Sequence, residues 1–103
     1  MKILQVNVRV DPEKPVPTSL GTGLEIAKVY AELKGLKWKI WMNNNKEMTA
    51  GGIYLFETEE DAQEYIDSEL FKKALTNNPR NTDLEVKMFD VIPELSKITR
   101  API

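Results

Sequence analysis

The stretch Gly35–Thr58, GLKWKIWMNNNKEMTAGGIYLFET, decides how this chain folds. Residues 36–43 and 49–57 are two runs rich in aliphatic, β-branched and aromatic side chains, separated by the polar segment NNNKE. Asn tolerates turn and left-handed conformations, so the stretch reads as a β-hairpin. Both tryptophans of the chain, Trp38 and Trp41, lie in its first strand. Successive strand residues point to opposite faces, so a spacing of three separates the two rings. One ring can fill a core, and the other needs a second apolar or half-apolar environment.

Working outward, residues 2–10 alternate, with Leu4, Val6, Val8 and Val10 on one side and Ile3, Gln5, Asn7 and Arg9 on the other. The Pro- and Gly-rich segment 11–23 must be a loop. Thr22 with Glu25 fits a capping box for a helix carrying Leu24, Ile26, Ala27, Tyr30, Ala31 and Leu33, and Gly35 is its natural stop. After the hairpin, Thr58 caps a second helix whose first turn is acidic, with Ala62, Tyr65, Ile66, Leu70, Phe71 and Ala74 as its inner side. Ser68 is placed to restart that helix after a bend. Leu84–Ile92 reads as a fourth strand ended by Pro93, leaving a tail with Leu95, Ile98 and Ile103. The order β-α-β-β-α-β with right-handed crossovers predicts one ferredoxin-like α+β domain over residues 1–103. Its sheet is antiparallel, ordered 4-1-3-2, with both helices on one face.

The bulk numbers narrow the chemistry. At 103 residues the chain supports one core, and a partner subunit would add to its stability. A net charge of −2 gives no electrostatic reason to expect nucleic acid or anionic lipid. There is no signal-peptide pattern and no long apolar run, so the expected location is cytoplasmic. Cysteine and histidine are both absent. That excludes disulfides, Ser-His-Asp and Cys-His catalysis, zinc sites built on Cys or His, and a histidine-ligated haem. No metal-loop spacing or phosphate-cradling glycine loop is present.

An aliphatic helix-covered face is expected to collect Leu4, Val6 and Val8, then Leu36, Trp38 and Ile40, then Ile53 and Leu55, then Leu84, Val86 and Met88. The opposite face then carries Gln5, Asn7, Arg9, Lys39, Trp41, Gly52, Tyr54, Phe56, Lys87 and Phe89. It is too aromatic for open water and too polar for a dry core, since a buried unpaired amide costs about 1–3 kcal/mol. A half-wet cavity covered by the sheet of a second copy satisfies both demands. Three readings stay open: an enclosed ligand pocket, a purely apolar dimer interface, and a nucleic-acid platform. The last lacks both an aromatic RNP signature and a basic balance.

The residues LKWKIW and EMTAGGIYLFETEEDAQEYI, with LQVNV near the start and VKMFDV…PELSKI near the end, resemble the YdhR-like mono-oxygenase family. The likeness covers about three quarters of the chain, is specific in the hairpin and weak over residues 9–34. It implies a homodimeric α/β barrel related to small oxygenases that use no flavin, haem or metal. These act on small aromatic or polycyclic phenols, whose electron-rich anion itself reacts with oxygen. Such a site must hold a ring, accept a proton and stabilise an anion. The resemblance points to Trp41, Tyr54, Phe56 and Phe89 as ring contacts and to Gln5 and Asn7 as hydrogen-bond donors. Lys39 or Arg9 would offset the oxyanion. With no histidine, Lys39 serves as a base only if burial depresses its pKa or the substrate arrives ionised. The rival function is a non-catalytic homodimer that binds a small hydrophobic molecule.

Overall fold

The computed structural model describes residues 1–15 and 21–103; positions 16–20 of the expected 11–23 loop lie outside the described residues. In chain order come β1 (Lys2–Val10), α1 (Gly23–Ala31), β2 (Leu36–Asn44), β3 (Thr49–Phe56), α2 (Glu59–Ile66) and α3 (Glu69–Phe71). A π-helical turn (Lys72–Thr76), β4 (Asn81–Asp90) and α4 (Pro93–Ile98) complete it. The strands form one antiparallel sheet ordered β2-β3-β1-β4, the expected ferredoxin-like arrangement. The sheet is open, with β2 and β4 as edges, so one chain does not close a barrel.

Local chemistry places the element ends where the sequence puts them. The Thr22, Thr58 and Ser68 hydroxyls accept from the backbone N–H of Glu25, Asp61 and Phe71, at 3.2, 3.1 and 3.2 Å. Each satisfies a first-turn donor that has no partner inside its helix. Helix α1 ends at Ala31 with Glu32 as its C-cap, ahead of the expected stop at Gly35, which instead takes φ +76° in the turn into β2, a conformation that disfavours any side chain. In the hairpin turn the Asn44 side-chain oxygen accepts from the N–H groups of Lys46 and Glu47. Two further boundaries differ from expectation. Strand β4 begins at Asn81 and ends at Asp90, and Pro93 opens a short helix where a plain tail is expected. Proline suits the first helical turn because an N–H there would have no intrahelical partner.

The face assignment needs correcting in β2 and β3. Leu36 pairs with Phe56 and Trp38 with Leu55, so Lys37 is one residue too many and resets the alternation. A bulge of this kind turns every later side chain of the strand over. Lys39 and Trp41 consequently face the helices, while Trp38 and Ile40 face away. In β3, Gly52, Tyr54 and Phe56 sit opposite Val6, Leu4 and Lys2 on the helix side, and Ile53 and Leu55 lie on the other. The expected aliphatic core is therefore an aromatic one. Leu4, Val6, Tyr30, Tyr54, Phe56, Ala62, Tyr65 and Phe71 form it, all buried. Tyrosines tolerate this position because their hydroxyls satisfy one another: Tyr65 Oη lies 2.7 Å from Tyr30 Oη and 2.9 Å from Tyr54 Oη.

Gln5, Asn7, Arg9, Lys87 and Phe89 remain on the uncovered face, as expected. Across the sheet that face runs in rows: Trp38, Leu55, Ile3 and Phe89; then Ile40, Ile53, Gln5 and Lys87; then Met42, Gly51, Asn7 and Glu85. Helix α4 and the chain end shield the Trp38, Leu55 and Ile3 part of the first row. Trp38 Nε1 donates to the Pro102 carbonyl at 2.7 Å, and Ile103, Leu95 and Ile92 line a groove with Ile3 and Trp38. Leu55 is wholly buried there, although it belongs to neither helix contact nor main core. Beyond that cover, Ile40 and Phe89 are about half exposed.

Candidate active site between sheet and helices

A cavity of about 260 Å³ opens between the sheet and the helix layer. Its floor is Val6, Val8, Lys39, Trp41, Gly52 and Tyr54, and its roof is Ile26 and Tyr30 from α1 with Ala74 and Leu75 from the π-helical turn. Asn78 and Asn81 supply its polar end. The Asn81 amide is held by the carbonyls of Ala74 and Leu75, and that of Asn78 by the Ala74 carbonyl.

Lys39 is the chemical centre of this space. Its Nζ lies 3.3 Å from the Trp41 ring centroid, 3.9 Å from Tyr30 and 4.6 Å from Tyr54. Trp41 also meets Tyr30 edge-on, with centroids 5.2 Å apart. Gly52 makes room for the lysine stem: a Cβ there would stand 2.8 Å from Lys39 Cε. Among the described residues no carboxylate lies within ion-pair reach of Lys39. Burial without a counter-charge pushes its amine down to about 7. The ring faces pull the other way, because their quadrupoles favour an ammonium. The balance leaves a lysine that exchanges its proton near neutrality.

The tyrosines behind it are set in the opposite sense. Burial raises the phenols of Tyr30, Tyr54 and Tyr65 above the usual tyrosine range. All three therefore stay protonated and neutral at physiological pH, linked through Tyr65.

The expected site residues thus divide. Lys39, Trp41 and Tyr54 meet in this cavity. Phe56 is packed in the core beneath, stacked on Tyr54 and Tyr65. Gln5, Asn7, Lys87 and Phe89 are on the other side of the sheet, where Asn7 borders a shallow groove with Met42, Asn44, Thr49 and Glu85. Arg9, on that same side, pairs with Asp83 at 3.4 Å. Sequence reading missed Tyr30 and Tyr65, taken only as apolar helix residues. The signal was available: both occupy inner helix positions, where a hydroxyl demands a partner, and the chain has just one further tyrosine to offer.

A four-stranded antiparallel sheet with helices on one face and an aromatic cavity between the layers defines a small ferredoxin-like α+β protein with a ligand-sized site. The chain belongs to the family described as "Putative mono-oxygenase ydhR", whose model matches residues 3–102. Among solved structures it is similar to the heme degrader MhuD of Mycobacterium tuberculosis with two hemes bound in its active site. It is equally similar to a point mutant of MhuD with two manganese protoporphyrin IX molecules bound per active site. Each is 17% identical with a TM-score of 0.49; the matches cover 87% of this chain and 95% and 94% of those chains. That likeness concerns the chain path alone. No curated protein matches the chain by sequence.

Proposed function

We propose that this protein is a mono-oxygenase that acts, without a bound cofactor, on a small phenolic aromatic held between sheet and helices. The observation that carries the reading is Lys39: an amine poised near neutral pH, walled by Trp41, Tyr30 and Tyr54, in a cavity whose other polar side chains are the uncharged Asn78 and Asn81. A flat ring entering beside Trp41 displaces the amine from the indole face and brings its hydroxyl to Nζ. The neutral amine accepts the phenolic proton, and the resulting ammonium holds the phenolate. An electron-rich anion of this kind reacts with dioxygen at a ring carbon. Where that carbon carries two hydrogens in the keto form, it becomes a carbonyl, and the hydrogens leave with the second oxygen atom as water. The cavity, just under the usual range of about 300–1,000 Å³ for drug-sized ligands, suits one or two fused rings better than a larger polycycle.

The uncovered face supports a homodimer packed sheet to sheet. Half-exposed Ile40 and Phe89, with Leu95 and Ile98 of α4 at 62% and 76% exposure, form an apolar surface that a second copy would cover. Gln5 and Asn7 then become interface groups, not contacts to the substrate.

The decisive experiment measures oxygen uptake and tryptophan fluorescence with a panel of phenols in Trp38→Phe and Trp41→Phe proteins. Turnover with quenching of Trp41 supports the reading. Quenching of Trp41 without oxygen uptake leaves a binding protein. Response of Trp38 alone would move the ligand to the other face and overturn it.

A further inference from the structure

The same cavity offers a reaction that needs no oxygen. We infer that Lys39 is a carbonyl-capturing lysine, forming an imine with an apolar aromatic aldehyde or ketone that enters beside Trp41. Three features of the fold lead there. The amine ends in a cavity of about 260 Å³ open to small molecules. Among the described residues it meets ring faces and no carboxylate, so nothing there holds the ammonium or engages the nitrogen lone pair once the proton is lost. Gly52, lacking a side chain, leaves room for the lysine stem, since a Cβ there would stand 2.8 Å from Lys39 Cε. Apolar burial is how lysines become nucleophiles at neutral pH, and a chain without cysteine or histidine has no competing thiol or imidazole.

The chemistry balances without a redox partner. The Nζ lone pair adds to the carbonyl carbon, and the C=O π pair moves to oxygen, which takes up the proton that nitrogen releases. The carbinolamine then loses water as nitrogen reforms a double bond to carbon. One amine and one carbonyl give one imine and one water. Desolvation favours this last step because the expelled water leaves an apolar site.

The titratable groups facing Lys39 are Tyr30 from α1 and Tyr54 from β3, with Tyr65 from α2 behind them. All are held protonated by burial, and Asn78 and Asn81 carry no charge. The pH dependence of capture is therefore that of the amine itself. At pH 7 a lysine titrating near 7 has roughly a thousand times more neutral amine than one at the ordinary value of about 10.4.

The test is reductive trapping under anaerobic conditions. The protein is incubated with naphthaldehyde and cyanoborohydride between pH 5.5 and 9, and the adducts are mapped by mass spectrometry. The Met1 α-amine, reactive toward any aldehyde, is scored separately. We expect Lys39 to be labelled at least ~10-fold faster than the exposed neighbour Lys37, with a midpoint near pH 7. Glyoxylate, small and anionic, should show no such preference. Lys39→Met and Lys39→Arg proteins, checked for cooperative unfolding, should lose the fast site. Labelling of Lys39 at the rate of surface lysines, or equal selectivity with glyoxylate, would overturn the inference. The inference rests on the cavity and amine of the proposed site but not on oxygen chemistry. Capture without oxygenase turnover sinks only the latter, and turnover without capture only the former.

Discussion

Replacing Lys39 by Met tests the energetics of the cavity directly. Methionine fills nearly the same volume with no charge to desolvate, and its thioether suits the surrounding rings. The lysine pKa falls from 10.5 unfolded to about 7 folded. Between these values the unfolded chain binds more protons than the native one, so wild-type stability gains from this group as pH rises through that window. Below about pH 7 both states carry the proton, and the penalty of holding the ammonium partly buried persists. At about 1.4 kcal/mol per pKa unit, and with about 1 kcal/mol returned by the rings, the difference should be about 2–3 kcal/mol across pH 6 to 9.5. Urea denaturation of both proteins at several pH values measures it. The Lys39→Met protein should be more stable near pH 6, and the advantage should shrink steadily toward pH 9.5. Parallel stability curves would show that the amine is solvated in the native state, and the poised base would go with it.

Three other perturbations separate the parts of the fold. Tyr65→Phe strands both the Tyr30 and Tyr54 hydroxyls, and thermal or chemical unfolding should show a loss of about 1–3 kcal/mol, as for a broken buried hydrogen bond. Gly51→Ala drives a Cβ to within 2.0 Å of the Val6 carbonyl oxygen, so β1 and β3 must part. Denaturation should report a loss of at least about 1–3 kcal/mol, the range for overpacking. Trp38→Phe keeps the ring on Leu55 but removes the bond to Pro102. Stability should fall by only about 1 kcal/mol, while amide exchange after residue 98 speeds up.

The element order and strand order were legible because they rest on turn residues and caps, which act locally. Thr22, Thr58, Ser68 and Asn44 each do the job their type suggests, whereas Gly35 turns the chain into β2 after α1 has already ended at Ala31. The side of the sheet was legible only where the pattern was polar against apolar, as in β1. In β3, both Ile53 with Leu55 and Tyr54 with Phe56 are apolar, and choosing the aliphatic pair ignored that three tyrosines can satisfy each other's hydroxyls. In β2, strict alternation from Leu36 could not register one surplus residue. Lys39, Trp41 and Tyr54 were nonetheless grouped together, since relative alternation within the two strands survives when both are turned over. Tyr30 and Tyr65 come from helices, whose approach to the sheet no strand pattern encodes.

The extra residue at Lys37 has an implication for how such a site is gained or lost. The side chains that give the cavity its character are chosen by a count upstream of them, not by their own identity. If Lys37 instead entered the ladder opposite Leu55, every one of those residues would stay in the sequence, yet the amine and indole would turn to the far side with Trp38 and Ile40 in their place. A chain of this architecture can therefore exchange a reactive chamber for an inert apolar filling by a one-residue slip of register, whereas losing Lys37 itself would only close the bulge and leave both faces as they are. Comparisons among related chains should align this hairpin by its pairing with Phe56 and Leu55 before any residue of the chamber is compared.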